Sequence, residues 1–145
     1  MGCGRVGAAL ATDLDAEHDI IVLDTDSAAF RFLPEGFRGR TLVGNGLDVD
    51  VLEKAKLREA DIFVSATRGD NRNVMAAQMA KHVFGVKVVG CRVFDPLREE
   101  MYRNMGLRTI NPTRVQAKRL KRIIEAPTDD AANDIVAEFM QQEGA

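Results

Sequence analysis

Gly2-Cys3-Gly4-Arg5-Val6-Gly7 and, after one intervening helix, Ile20-Ile21-Val22-Leu23-Asp24 form the stretch from which the fold can be read. The first part matches G-x-G-x-x-G, in which glycines permit a tight turn, close approach of backbone to a pyrophosphate, and close packing of the following helix. Amides at the start of that helix favour anions. Taken alone, the match equally describes a glycine-rich helix start that binds nothing. The second part adds weight, because Asp24 comes 22 residues after Gly2 at the end of an apolar strand. A carboxylate there accepts hydrogen bonds from both hydroxyls of an adenosine ribose and repels a phosphorylated one. This favours NAD or an adenosine phosphate over NADP. The other reading of Asp24 is helix capping, for which Asp26, directly before Ser27, is better placed.

Outward from this stretch, short apolar runs alternate with helical-period segments, the pattern of consecutive βαβ units around a parallel sheet. Helices are predicted over 5–14, 27–33 (stopped by Pro34), 48–55 and 73–84, and strands over 20–24, 41–43, 62–66, 87–93 and 108–110. Asp95-Pro96 and Asn111-Pro112 read as helix starts, the polar residue capping free amides and proline taking the first helical position. The expected fold is α/β, a Rossmann-like doubly wound parallel sheet with amphipathic helices at the C-terminus. Met1 stands directly before the glycine loop, where this architecture places a central strand of about five residues. The first strand is therefore largely missing. The expectation is that the 145 residues start after it, as a fragment or a misplaced start would, because a sheet without its middle member exposes apolar faces and unpaired backbone.

Composition narrows the function classes. With 46% hydrophobic and 29% charged residues, the chain has the make-up of a globular domain, and 145 residues hold one α/β domain and a short appendage but no second catalytic domain. No run approaches the ~18 apolar residues of a membrane span, so direct membrane insertion is not expected and a cytoplasmic location is. Cys3 and Cys91 lack metal-ligand spacing, which predicts buried reduced thiols and no metal site. His18 and His82 are isolated and read as solvated or packed. Net charge −2 offers no general attraction for nucleic acid.

Further candidate ligand residues lie at the predicted carboxyl edge of the sheet, where open α/β folds bind ligands. Asn45, between Gly44 and Gly46, presents an amide to an adenine edge or simply forms a turn. Thr67 and Arg68 follow the strand predicted over 62–66. Arg92, among Val88, Val89, Cys91 and Val93, is costly to bury without an anionic partner. A nucleotide phosphate supplies one, and so does a carboxylate such as Asp95. Met75, Met79, Met101 and Met105 fall at helical spacing, the mark of core or interface packing.

These motifs together resemble the N-terminal RCK (TrkA-N, or KTN) domain of the TrkA family of potassium transport regulatory proteins. Besides GCGRVG, the resemblance rests on Leu23-Asp24-Thr25-Asp26, Gly44-Asn45-Gly46-Leu47-Asp48, Arg58-Glu59-Ala60-Asp61, Ala66-Thr67-Arg68-Gly69-Asp70-Asn71 and Cys91-Arg92-Val93, and runs from Met1 to about Ala126. It implies a nucleotide site lined by Gly2, Cys3, Gly4, Arg5, Val6, Asp24, Thr67, Arg68 and Arg92, to which the motif adds Gly7 and the loop adds Asn45. It further implies a non-enzymatic regulatory subunit, binding NAD(H) in the first place or ATP/ADP, peripheral to the inner membrane through a membrane potassium transporter or channel subunit. Members of the family usually continue into a second, RCK-C domain that this chain is too short to contain. The alternative is the cofactor-binding half of an NAD-dependent dehydrogenase, which lacks a convincing acid or base beside the expected nicotinamide position.

The expected domain division is 1–112 for the nucleotide-binding unit and 113–145 for dimerisation helices. The segment 112–126 carries Arg114, Lys118, Arg119, Lys121 and Arg122 beside an apolar face of Val115, Ala117, Leu120, Ile123 and Ile124. After Pro127, Thr128 caps a helix bearing Asp129, Asp130, Asp134, Glu138 and Glu143, with Ile135, Val136, Phe139 and Met140 opposite. The two helices can pair within one subunit, but neither buries its apolar face alone. The resemblance implies that the first crosses to a partner, so a homodimer or higher homo-oligomer is the expectation.

Overall fold

The computed structural model describes residues 1–143. Five parallel strands, β1 (Ile21–Asp24), β2 (Arg40–Val43), β3 (Ile62–Ser65), β4 (Val88–Arg92) and β5 (Arg108–Ile110), alternate with helices α1 (Arg5–Leu14), α2 (Val49–Lys54), α3 (Asp70–His82) and α4 (Pro96–Asn104). The predicted helix at 27–33 is a 3-10 segment, Ser27–Phe32, capped by Asp26, whose side chain accepts from the Ala28 N–H. Asp48, Asp95 and Asn111 likewise cap the helices that follow them, the last two ahead of proline. The helix predicted from Asn73 begins instead at Asp70 and ends at His82. Asp70 supplies a carboxylate to the first turn, where the helix dipole favours it, and the polar run that reads as loop is helical for that reason.

Strand side chains alternate between two apolar layers. Val22 joins Cys3, Ala8 and Ala11 on one side, while Leu23 joins Leu52, Phe63, Ala76, Ala77, Ala80 and Val89 on the other. Alanines 76, 77 and 80 are fully buried, which lets α3 lie close on the sheet. Of the four methionines at helical spacing, Met79 packs against the core and Met75, Met101 and Met105 are exposed. Both cysteines are buried and unbonded.

The sheet falls into two parts, β1-β2 and β3-β4-β5. Among the described residues, the main-chain hydrogen bonds between β1 and β3 run through Met1 and Gly2. The Met1 amine donates to the Val64 carbonyl (2.7 Å), the Met1 carbonyl accepts from Ala66 N–H (2.9 Å), and Gly2 N–H donates to the Leu23 carbonyl (2.7 Å). These are the bonds of a parallel strand between two neighbours. Beyond them, cavities of about 1050 and 470 Å³ follow the slot, the first toward Leu52 and Leu57 and the second toward Leu10 and Ala11. Ladder alternation turns the N–H and C=O of Ile21 and Ile62 into this space.

The last two helices, α5 (Pro112–Ile124) and α6 (Asp129–Glu143), form a hairpin within the chain. Arg122 pairs with Glu138 at 2.7 Å, the guanidinium groups of Arg119 and Arg122 lie over the Phe139 ring, and Thr128 Oγ1 accepts from Ala131 N–H. The hairpin leaves Leu120, Ile124 (78% exposed) and Met140 uncovered. Its root is tied to the domain by buried Asn111 and by Glu99 of α4. Glu99 is 4% exposed and meets Arg103 at 2.6 Å and Arg114 at 3.7 Å.

Burial lowers the Met1 amine to about 6, against the opposing attraction of Asp24 and Cys3. A variant carrying four β-branched residues ahead of Met1 is expected to pair both open strand edges. Its thermal midpoint is expected to exceed that of the unextended chain by about 5 °C or more, whereas a Gly-Ser extension of equal length gives no such gain.

Candidate functional site

Parallel strands put their carboxyl ends on one edge, where Asp24, Thr67 and Arg92 lie at or just beyond the ends of β1, β3 and β4. Asp24, closing β1, accepts from Cys3 N–H through Oδ2 (2.7 Å) and from Asp26 N–H through Oδ1 (3.1 Å). The carboxylate thus anchors the glycine loop from its own strand end. Each of its oxygens has a lone-pair direction left for a ligand hydroxyl.

Gly2 has φ +93°, and a Cβ there would press on Thr67 Cγ2 and Thr67 N, both 2.9 Å away. A Cβ on Gly7 would run into the Gly2 carbonyl oxygen. These two glycines are required by the protein itself. Gly4 differs: its φ is −76°, and a Cβ built on it meets nothing within 4 Å. Neither backbone nor packing demands glycine at this position, and the open space lies at the N-cap of α1. No side chain caps that helix and no acidic residue stands in its first turn, so its leading amides are unpaid by the protein's own groups. That combination fits a phosphate.

Thr67 follows β3 and lies between the loop and β4. Its carbonyl accepts from Arg92 NH2 at 2.7 Å. Arg92 makes no ion pair among the described residues. Its guanidinium stacks over Phe94 at 4.5 Å, and Nε is buried without a hydrogen-bond partner. Burial lowers its pKa and Asp70 opposes that shift. Asp95, the carboxylate suggested by the sequence as a partner, is engaged instead in capping α4. Arg5, Val6 and Arg68 are exposed around this edge. Asn45 is exposed after β2, and its side-chain oxygen accepts from Leu47 N–H, forming a turn that leaves the side-chain nitrogen outward.

Two residues of this edge escape sequence reading. Asp70 accepts from Phe94 N–H and Asp95 N–H at 2.8 and 2.9 Å, holding the loop after β4, and Asn73 lies fully buried behind Thr67. An acid at a helix start was the available signal for Asp70; Asn73 carries none. Burial pushes the Cys91 thiol up to about 11 and raises that of Cys3, with Asp24 adding to the latter, so neither thiol is primed as a nucleophile. His18 and His82 are exposed.

The sequence model of the TrkA-N domain matches residues 1–112. The chain belongs to the TrkA-N family. Among its relatives, the Trk system potassium uptake protein TrkA of Streptomyces coelicolor is 42% identical over 123 residues, covering 84% of this chain and 55% of the relative. The Trk system potassium uptake protein TrkA homolog of Pyrococcus abyssi is 31% identical over 136 residues, covering 93% and 56%. The TrkA-N chain therefore spans about half the length of these relatives. Its fold matches the TrkA-N domain of the Escherichia coli inner membrane protein ybaL (TM-score 0.73, 18% identity, 86% of this chain and 93% of that one). It also matches the Shewanella denitrificans Kef CTD in AMP-bound form (0.67, 19%, 98% and 89%) and GsuK bound to ADP (0.65, 17%, 94% and 39%). The Rossmann-like fold and the family resemblance expected from the motifs are thus both borne out. No helix among the described residues is long and apolar enough to cross a membrane.

The contrast among the glycines makes a direct test. Gly4→Ser introduces a capping side chain and is expected to move the melting midpoint by less than about 3 °C while abolishing binding of adenine nucleotide, because its hydroxymethyl group enters the open space at the helix start. Gly7→Ala is expected to lower the midpoint outright. Equal losses of stability in the two variants, read by circular dichroism melts, would contradict this assignment.

Proposed function

We propose that this TrkA-N chain is a nucleotide-binding regulatory unit of potassium transport, taking NAD(H) or ATP/ADP at the carboxyl edge of its sheet. The observation that carries the reading is the pairing of an open Gly4 position at an uncapped helix start with the Asp24 carboxylate anchored beside it. Diphosphate occupies the amides of the loop, and ribose hydroxyls approach Asp24. Thr67, Arg68 and Arg92 line the other wall. Support for the transport role comes from the potassium uptake relatives, and support for an adenine nucleotide comes from neighbours of the same fold solved with AMP and ADP. The dehydrogenase alternative finds no such support. The protein acts by binding rather than by catalysis. A nucleotide that binds two conformations with different affinity shifts their balance, and a membrane potassium transporter or channel subunit reads the shift. The protein works on the cytoplasmic side, next to that partner.

Residues 113–145 serve as dimerisation helices in this reading. The uncovered Leu120, Ile124 and Met140 are what a second subunit would bury. Leu120→Asp with Ile124→Asp is expected to convert a dimer into monomer in sedimentation. An unchanged mass would remove that role.

Titration calorimetry with NAD, NADH, ATP, ADP and AMP tests the ligand assignment. Asp24→Asn, which retains an oxygen acceptor for Cys3 N–H, is expected to weaken binding by about tenfold through loss of charge-assisted bonds to ribose, and Asp24→Ala by more. NADP is expected to bind more weakly than NAD to the wild type and to close that gap in Asp24→Asn. Equal affinity of wild type and Asp24→Ala for every nucleotide would overturn the ribose role.

A further inference from the structure

Behind the nucleotide edge, one side chain occupies all the hydrogen-bonding positions of its amide on two groups of that edge. Asn73, in the first turn of α3, is fully buried. Its Oδ1 accepts from Thr67 N–H at 2.8 Å and from Thr67 Oγ1 at 2.7 Å. Its Nδ2 donates to the Thr67 carbonyl and to the Arg92 carbonyl, each at 2.9 Å. The Asn73 backbone carbonyl in turn accepts from Ser65 Oγ at 2.8 Å. Because Arg92 NH2 donates to the same Thr67 carbonyl, Thr67, Asn73 and Arg92 close a ring of hydrogen bonds.

The ring links Thr67, just after β3, to the end of β4. On one side the Thr67 backbone lies against Gly2, where a Cβ would touch it, so the position of Thr67 sets that of the glycine loop. On the other side is half-buried Arg92, whose guanidinium donates to the Thr67 carbonyl and lies over the Phe94 ring while its buried Nε lacks a hydrogen-bond partner. A guanidinium with a buried donor left unsatisfied at Nε is poised for an anion. Only an amide supplies two acceptor and two donor contacts from one small side chain; aspartate lacks the donors and leucine lacks both.

We propose that Asn73 is a positioning residue for phosphate recognition, fixing the separation between the glycine loop and Arg92 without touching the ligand. This rests on the nucleotide reading above. The role is specific: loss of Asn73 weakens contacts to phosphate and leaves those to adenine and ribose, which Asp24 and the β2 end supply.

The test compares AMP, the smallest phosphate-bearing ligand in the series, with adenosine, which has no phosphate. Calorimetry on the full chain uses wild type, Asn73→Ser, Asn73→Asp and Arg92→Gln, together with the Asn73→Ser/Arg92→Gln double variant. AMP affinity is expected to fall about tenfold in each single variant and little further in the double one, while adenosine affinity changes by less than twofold. Equal losses for AMP and adenosine, or losses that multiply in the double variant, would mean that Asn73 only supports the fold. A measurement on the wild type guards against variants that do not fold. The side-chain amide resonances of Asn73 are expected to shift on saturation with AMP and to stay in place with adenosine, and unmoved resonances with AMP would overturn the proposal. If wild type binds no adenine nucleotide at all, the site itself is misassigned; if it binds AMP and the Asn73 variants match it, only the positioning role falls.

Discussion

Main-chain hydrogen bonds from Met1 and Gly2 set the glycine loop against both halves of the sheet. Three hydrogen bonds, to Val64, Ala66 and Leu23, are the direct main-chain link between the two halves of the sheet, and they also fix where the glycine loop starts. The loop cannot be placed independently of the sheet, because Gly2 sits against Thr67 with no room for a Cβ. Every later feature inherits this position. Asp24 reaches Cys3 N–H only because the loop leaves the sheet at this point, and the start of α1 faces the carboxyl edge for the same reason.

Much of this arrangement was legible in residues adjacent in sequence. Apolar runs such as Ile20 to Leu23 and Ile62 to Val64 announce parallel strands buried on both faces, and Asp26, Asp48, Asp95 and Asn111 mark helix starts that the structure shows capped as the sequence indicates. Local rules could not reveal bonds between residues distant in sequence. That Asp24 spends part of its carboxylate on Cys3 depends on the turn of a loop 21 positions earlier. Asn73 looks like any polar residue near a helix start until Thr67 and Arg92 are brought to it by the sheet. Arg92 shows the limit from the other direction: the cost of burying a guanidinium was evident, but its relief by a carbonyl and an aromatic ring was not.

The polar interior of the site has an energetic logic. Thr67, Asn73, Ser65 and Arg92 replace apolar packing at the ends of β3 and β4, where each buried donor or acceptor costs about 1–3 kcal/mol if left alone. All but the Arg92 Nε are satisfied within the network, and Thr67, Asn73 and the Arg92 main chain are held as a unit because the Asn73 amide cannot rotate without orphaning its partners. The apolar layers on either side, with alanines of α3 flush against the sheet, need no such specificity and supply bulk stability instead. Division of labour between a forgiving core and an exacting edge is what a ligand site on a rigid scaffold requires.

The buried Glu99 has a mechanical consequence. It ties α4 to the first turn of α5 through Arg114, close to where Asn111 follows β5, so this link between domain and hairpin lies at the base of α5. Helix α5 is about 20 Å long at its ordinary rise per residue. A rocking of about 6° at that base swings the far end through about 2 Å, by simple leverage along a rod of that length. Small adjustments near β5 are thus magnified at the tip of the arm.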